Sequence, residues 1–172
     1  MKRLVLLSLL CCTLYSHAQS SVNAHQAKVP QWITGTWTLV SVENSYPNGD
    51  KVYPYGAHPK GMLIFDVSGN YTLQIYKDER ISVASGDKNK ATPEENIALV
   101  QGSNAHFGKY AIDGPHQLIT FLIAYASFPN WDSQIQKRSY SYRNNQLKYV
   151  VTNTTQGGQS VTAEVTWEHY YP

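Results

Sequence analysis

Arg138 is the side chain best placed in this sequence to hold a charged partner at a fixed point. In the run Ile135–Arg143 it shares one strand face with Tyr140 and Tyr142, while Lys137, Ser139 and Ser141 share the other. The aromatic face belongs inside a β-structure. An arginine carried inward must be paired or must lie on an aromatic ring. Two roles fit that position. It anchors a ligand carboxylate or phosphate, or it packs structurally over Trp37.

Aromatic residues supply the next candidates. Tyr71, Tyr110, Tyr125 and Tyr140 are expected to line a binding pocket, with Trp131 at its rim. Trp131 closes Phe128-Pro129-Asn130-Trp131, which also reads as a rigid corner because proline fixes φ and asparagine satisfies turn hydrogen bonds. Phe107 and Tyr110 are three residues apart and face opposite ways on a strand, unless Gly108 breaks the pleat with a bulge.

Other chemistry finds little support. His25, His58, His106, His116 and His169 show no spacing that sets two metal ligands on one face of one element. Glu94 and Glu95 follow Thr92-Pro93, where they cap a helix. There is no G-x-S-x-G, no phosphate loop and no dinucleotide fingerprint. No catalytic residue, metal site or cofactor is therefore expected.

Short strands must position these residues. The expected strands are Thr36–Asn44, Lys60–Val67, Tyr71–Lys77, Phe107–Asp113, Leu118–Ser127, Ile135–Arg143, Gln146–Asn153 and Ser160–His169. Ser68-Gly69-Asn70 and Asn144-Asn145 read as hairpin turns between them. Leu118–Ser127 is nearly all apolar, as a strand buried on both faces would be. In the last strand Val161, Ala163, Val165 and Trp167 share a face. Thr92-Pro93-Glu94-Glu95 opens one helix, which should end at Gly102. Ser85–Lys90 reads as a lid over a barrel mouth or as a solvated loop. Eight to ten antiparallel strands with one short inserted helix make an all-β barrel or sandwich.

The N-terminus reads as an export signal. Lys2 and Arg3 precede an apolar stretch, Leu4–Tyr15, that is too short to span a bilayer. Ser16-His17-Ala18 then fits a cleavage site. Residues 19–30 are polar and loose, and 31–172 form one domain. Removal of 1–18 takes both cysteines, Cys11 and Cys12, and leaves 154 of 172 residues. It also takes Lys2 and Arg3, which carry the whole formal excess of +2. No electrostatic case for nucleic acid or an anionic membrane survives. The expected location is the periplasm or the extracellular space, with no stable membrane insertion after cleavage. The oligomeric state is not legible.

Gly35-Thr36-Trp37, leading into the alternating strand Thr38-Leu39-Val40-Ser41, resembles the opening of lipocalin-type barrels. Tyr53-Pro54-Tyr55-Gly56, Pro59–Phe65, Ser68–Tyr71, Phe107-Gly108-Lys109-Tyr110, Phe128–Trp131 and Gln136-Lys137-Arg138 extend that likeness from about Val29 to Trp167. Together they resemble the bacterial and fungal lipocalin-like proteins of the calycin type. The resemblance implies an antiparallel lipocalin-like (calycin) β-barrel with an interior pocket, and much less about activity. Where the family pattern carries a histidine before the Pro-Asn-Trp segment, this chain has Phe121-Leu122-Ile123. Chemistry that depends on that histidine is not expected here. The leading expectation is an exported barrel that binds a small, largely apolar molecule, with Arg138 as its charged anchor. The alternatives are a cyclase or isomerase that folds a hydrophobic substrate, and a pocketless interaction or structural barrel.

Overall fold

Eight of nine antiparallel strands form a wall in which the first closes on the last. The computed structural model describes residues 29–156 and 158–170. The expected leader, 1–18, and most of the loose segment at 19–30 lie outside the described residues. The wall strands are β1 (Gly35–Ser45), β3 (Lys60–Phe65), β4 (Asn70–Tyr76), β5 (Ser103–Asp113), β6 (Leu118–Ala126), β7 (Ile135–Arg143), β8 (Gln146–Gln156) and β9 (Gln159–His169). β2 (Lys51–Val52) is a two-residue strand paired to the end of β1. β1 pairs with both β3 and β9, so the eight wall strands form a closed barrel. Of the barrel and the sandwich that the strand spacing allows, the fold is the barrel, as the resemblance at Gly35-Thr36-Trp37 implies.

Turn chemistry sets the register at one end. Asn144 and Asn145 take φ of 49° and 65°, the left-handed pair that a two-residue hairpin requires. Before β4, the Asp66 carboxylate accepts from the backbone N–H groups of Ser68 and Asn70, both at 2.8 Å. These hairpins close the barrel end that contains Trp37. That ring is fully buried, and its Nε1 donates to the Ile33 carbonyl at 2.8 Å. His169 and Tyr142 meet it edge-on, with ring centroids at 4.6 and 5.9 Å. Below it, Phe65, Tyr71, Tyr110 and Phe121 form a packed aromatic layer, with Phe65 and Tyr110 centroids 4.5 Å apart. This half of the interior is solid.

The other end stays open. Here the connections are longer, and one carries α1 (Pro93–Gln101), the expected helix. Its capping box is complete: the Thr92 hydroxyl accepts from Glu95 N–H, and the Glu95 carboxylate accepts from Thr92 N–H. Ser85–Lys90 is mostly exposed and ends in a 3₁₀ turn at Lys88–Lys90. No helix among the described residues is long and apolar enough to cross a membrane.

β6 departs from its expected burial. Ile119, Phe121 and Ile123 point inward, but Leu122 is half-exposed on the outer wall. The strand then slips. Gly108 pairs with Ile123 and Phe107 pairs with Tyr125, which leaves Ala124 without a partner in the ladder. Gly108 permits the bulge, because a Cβ there would lie 2.1 Å from the Leu122 carbonyl oxygen. One extra residue reverses every side chain beyond it. Tyr125, expected inside, therefore faces out at 64% exposed, packed on Phe107.

Candidate functional site

The open half of the barrel holds a cavity of about 820 Å³. That is within the range of small-molecule sites, and it sets aside the expectation of a pocketless barrel. Val42, Leu73, Ile75, Val151, Ala163 and Val165 supply apolar wall, each on the inward face of its strand. Lys77 and Lys137 stand on the lining as well, while no aspartate or glutamate does.

Arg138 reaches this cavity from β7 and is only 5% exposed. Its guanidinium carbon lies 4.5 Å from the Phe121 ring and 4.8 Å from the Tyr149 ring. The Trp37 ring is instead flanked by His169 and Tyr142, so Arg138 does not serve as its cover. Nη2 donates to the Gln136 side-chain oxygen at 2.5 Å, while Nε is buried without a hydrogen-bond partner. Among the described residues no carboxylate lies within ion-pair distance of Arg138. The arginine is held between two aromatic faces with its charge unneutralised.

His106 joins it from β5. This histidine is 2% exposed, lines the cavity, and meets the Phe121 ring edge-on at 6.0 Å between centroids. The phenol of Tyr71 is 2.8 Å from its Nδ1. Burial, and then the nearby Arg138 charge, push its pKa down from 6.5 to about 3, so the imidazole is neutral. Burial also pushes the Tyr71 phenol well above its ordinary range. Tyr71 has no other acceptor among the described residues. With the Tyr71 O–H donating to Nδ1, the imidazole proton sits on Nε2. In that arrangement His106 is a hydrogen-bond donor at Nε2.

The expected site residues divide between the two halves of the barrel. Arg138 and Trp131 line the cavity, and Tyr71 stands behind His106. Trp131 ends a 3₁₀ turn at Pro129–Trp131, with its backbone N–H on the Phe128 carbonyl at 3.0 Å, so the segment is both a corner and part of the lining. Tyr110 is buried in the closed half, where its hydroxyl donates to the Asp66 carbonyl at 2.8 Å. Tyr140 packs on Trp32 at 5.4 Å, also away from the cavity. Tyr125 is on the outer wall. These three tyrosines do not meet the lining: a closed end filled with side chains takes Tyr110 and Tyr140, and the β6 bulge expels Tyr125.

Sequence reasoning missed His106, Gln136, Asn104 and Tyr149. Tyr149 is fully buried, and burial pushes its phenol pKa up. Asn104 lines the cavity beside Tyr55. A signal for His106 existed. Starting β5 at Ser103 instead of Phe107 puts His106 in phase with Gly108 and Tyr110, on the inner face. Among the described residues, no group of three or more histidine, cysteine, aspartate or glutamate side chains stands ready to hold a metal ion.

Comparison with known proteins agrees with this architecture. A family model described as a lipocalin-like domain matches residues 34–170. No curated protein matches the chain.

Proposed function

Because the chain belongs to the lipocalin-like domain family, we propose that it binds a small, largely apolar molecule in the open half of the barrel, anchored by Arg138. The observation that carries this reading is the state of Arg138. It is buried, it faces a cavity, and it has aromatic rings and one amide oxygen for company but no counter-charge. Burying a cation without an anion costs free energy. A ligand with an acceptor or anionic group would relieve that cost, while apolar walls would take up its remainder. Export follows from the N-terminal leader, and the periplasm or extracellular space is the proposed location.

Native mass spectrometry of the purified protein tests this, followed by denaturing release. A reproducible adduct that the Arg138→Met variant lacks supports the reading and supplies the ligand's mass. A bare protein, both as isolated and after exposure to an extract of lipids and organic acids, overturns it. The same spectra test export: an N-terminus at Gln19 is expected, and an exported chain still beginning at Met1 is not.

A further inference from the structure

We propose that His106 and Arg138 form a two-donor cradle for a carboxylate, with Tyr71 as its positioning residue, so that the ligand is an apolar monocarboxylic acid. This rests on the open half of the barrel being a ligand pocket. Phe121 on β6 is the shared floor, with Arg138 over its face from β7 and His106 at its edge from β5. The two donors therefore flank one ring and look into one cavity.

Each donor is fixed in kind. The Tyr71 hydroxyl lies 2.8 Å from Nδ1, and as the donor of that bond it leaves the proton on Nε2. Arg138 is held by Gln136 and by the Tyr149 hydroxyl, and its guanidinium charge meets no carboxylate among the described residues. Neutrality of His106 follows from its burial and from Arg138 beside it. The phenols facing the pair, Tyr71 from β4 and Tyr149 from β8, are pushed further toward the neutral form.

The charge count selects the anion. Around Phe121 the site holds one permanent cation, Arg138, and one neutral donor, His106, while Lys77 and Lys137 stand elsewhere on the lining. A carboxylate, with one negative charge and two acceptor oxygens, matches both. A phosphate monoester brings nearly two charges, of which Arg138 alone would offset about half at this point. A neutral alcohol would leave the buried arginine uncompensated.

Side-chain ¹⁵N NMR of the labelled protein tests this, with sodium decanoate, 1-decanol and decyl phosphate as probes. Before any addition, His106 should be the Nε2–H tautomer. Decanoate should shift the His106 Nε2 and Arg138 guanidinium signals, and 1-decanol should bind at least about tenfold more weakly. Tyr71→Phe keeps the ring, so the fold should survive. It should move His106 toward a tautomer mixture and weaken decanoate, whereas a purely structural Tyr71 would leave the tautomer unchanged. An Nδ1–H tautomer in the parent protein overturns the proposal. So does 1-decanol or decyl phosphate binding as well as decanoate, and so does no response to any of the three. In the last case native mass spectrometry still decides whether the pocket holds a different small molecule, so the two readings fail separately.

Discussion

The Arg138 guanidinium carbon lies 4.5 Å from the ring centroid of Phe121, on the adjacent strand of a closed barrel. Such contacts offset part of the cost of burying a cation, roughly 2 kcal/mol or more when desolvated. They do not neutralise it. The position is therefore costly to the empty protein and useful to a filled one.

Arg138→Met separates these two effects. Methionine keeps most of the stem and its packing on Phe121 but removes the charge. Replacing an unneutralised buried ion with an apolar side chain is commonly neutral or stabilising, by up to about 4 kcal/mol. The variant should melt at the parent's temperature or above. Its affinity for decanoate should fall about 10- to 100-fold, the loss of a charge-assisted bond of about 1.5–3 kcal/mol. Thermal denaturation with binding isotherms checks both. A melting point several degrees lower, with affinity retained, would make the arginine structural.

His106 gives a pH signature. Its pKa is depressed in the folded state from 6.5 to about 3, by burial first and Arg138 second. Between those values the unfolded chain holds a proton that the folded chain refuses. Stability is therefore complete above about pH 6.5 and falls as pH drops, by at most ~1.4 kcal/mol per pH unit from this group. Carboxylates with lowered pKa, such as Asp66 and Asp113, act in the same direction but at more acidic pH. The interval from about pH 5 to 6.5 belongs to His106. His106→Asn should flatten the stability profile there, measured by urea denaturation across pH. An unchanged slope would mean that the imidazole titrates freely.

Gly108 is the hinge of the outer-wall slip. An added Cβ would meet the Leu122 carbonyl oxygen at 2.1 Å and the Ala124 nitrogen at 2.8 Å, both backbone atoms that cannot swing aside. Gly108→Ala should cost about 2 kcal/mol or more, as strain at a special backbone site does. Hydrogen exchange should rise across Phe107–Tyr110 and Leu122–Tyr125. A fully parent-like denaturation curve would show that the bulge relaxes without cost.

The same slip marks where the sequence stops being legible. Glycine turns, the capping box at Thr92 and the alternation in β9 are local signals, and each element they mark is present. Arg138 was also legible, because three residues of one strand repeat at a period of two. Tyr125 was not, because Phe121–Ala126 is apolar on both phases and nothing in it marks which residue is extra. His106 was lost to a strand begun four residues late. Its partners, Tyr71 and Arg138, come from other strands, and that convergence is a property of closure, which no single stretch encodes.

Trp131 should report the arrival of a ligand. Of the four tryptophans, Trp37 and Trp167 are fully buried, and Trp32 packs on Tyr140 and Tyr142 at the closed end. Only Trp131 lines the cavity, with His106 6.1 Å from its ring centroid and Phe128 at 5.7 Å. A molecule seated between Arg138 and the rim would displace water from that ring while leaving the other three indoles untouched. Emission should shift to shorter wavelength on titration with decanoate, and acrylamide quenching of the exposed fraction should fall. Trp131→Phe should abolish the shift but leave calorimetric affinity within about threefold, since the ring's apolar contact is largely kept. A shift that persists in Trp131→Phe would place the bound molecule beside another tryptophan, at the closed end of the barrel and away from Arg138.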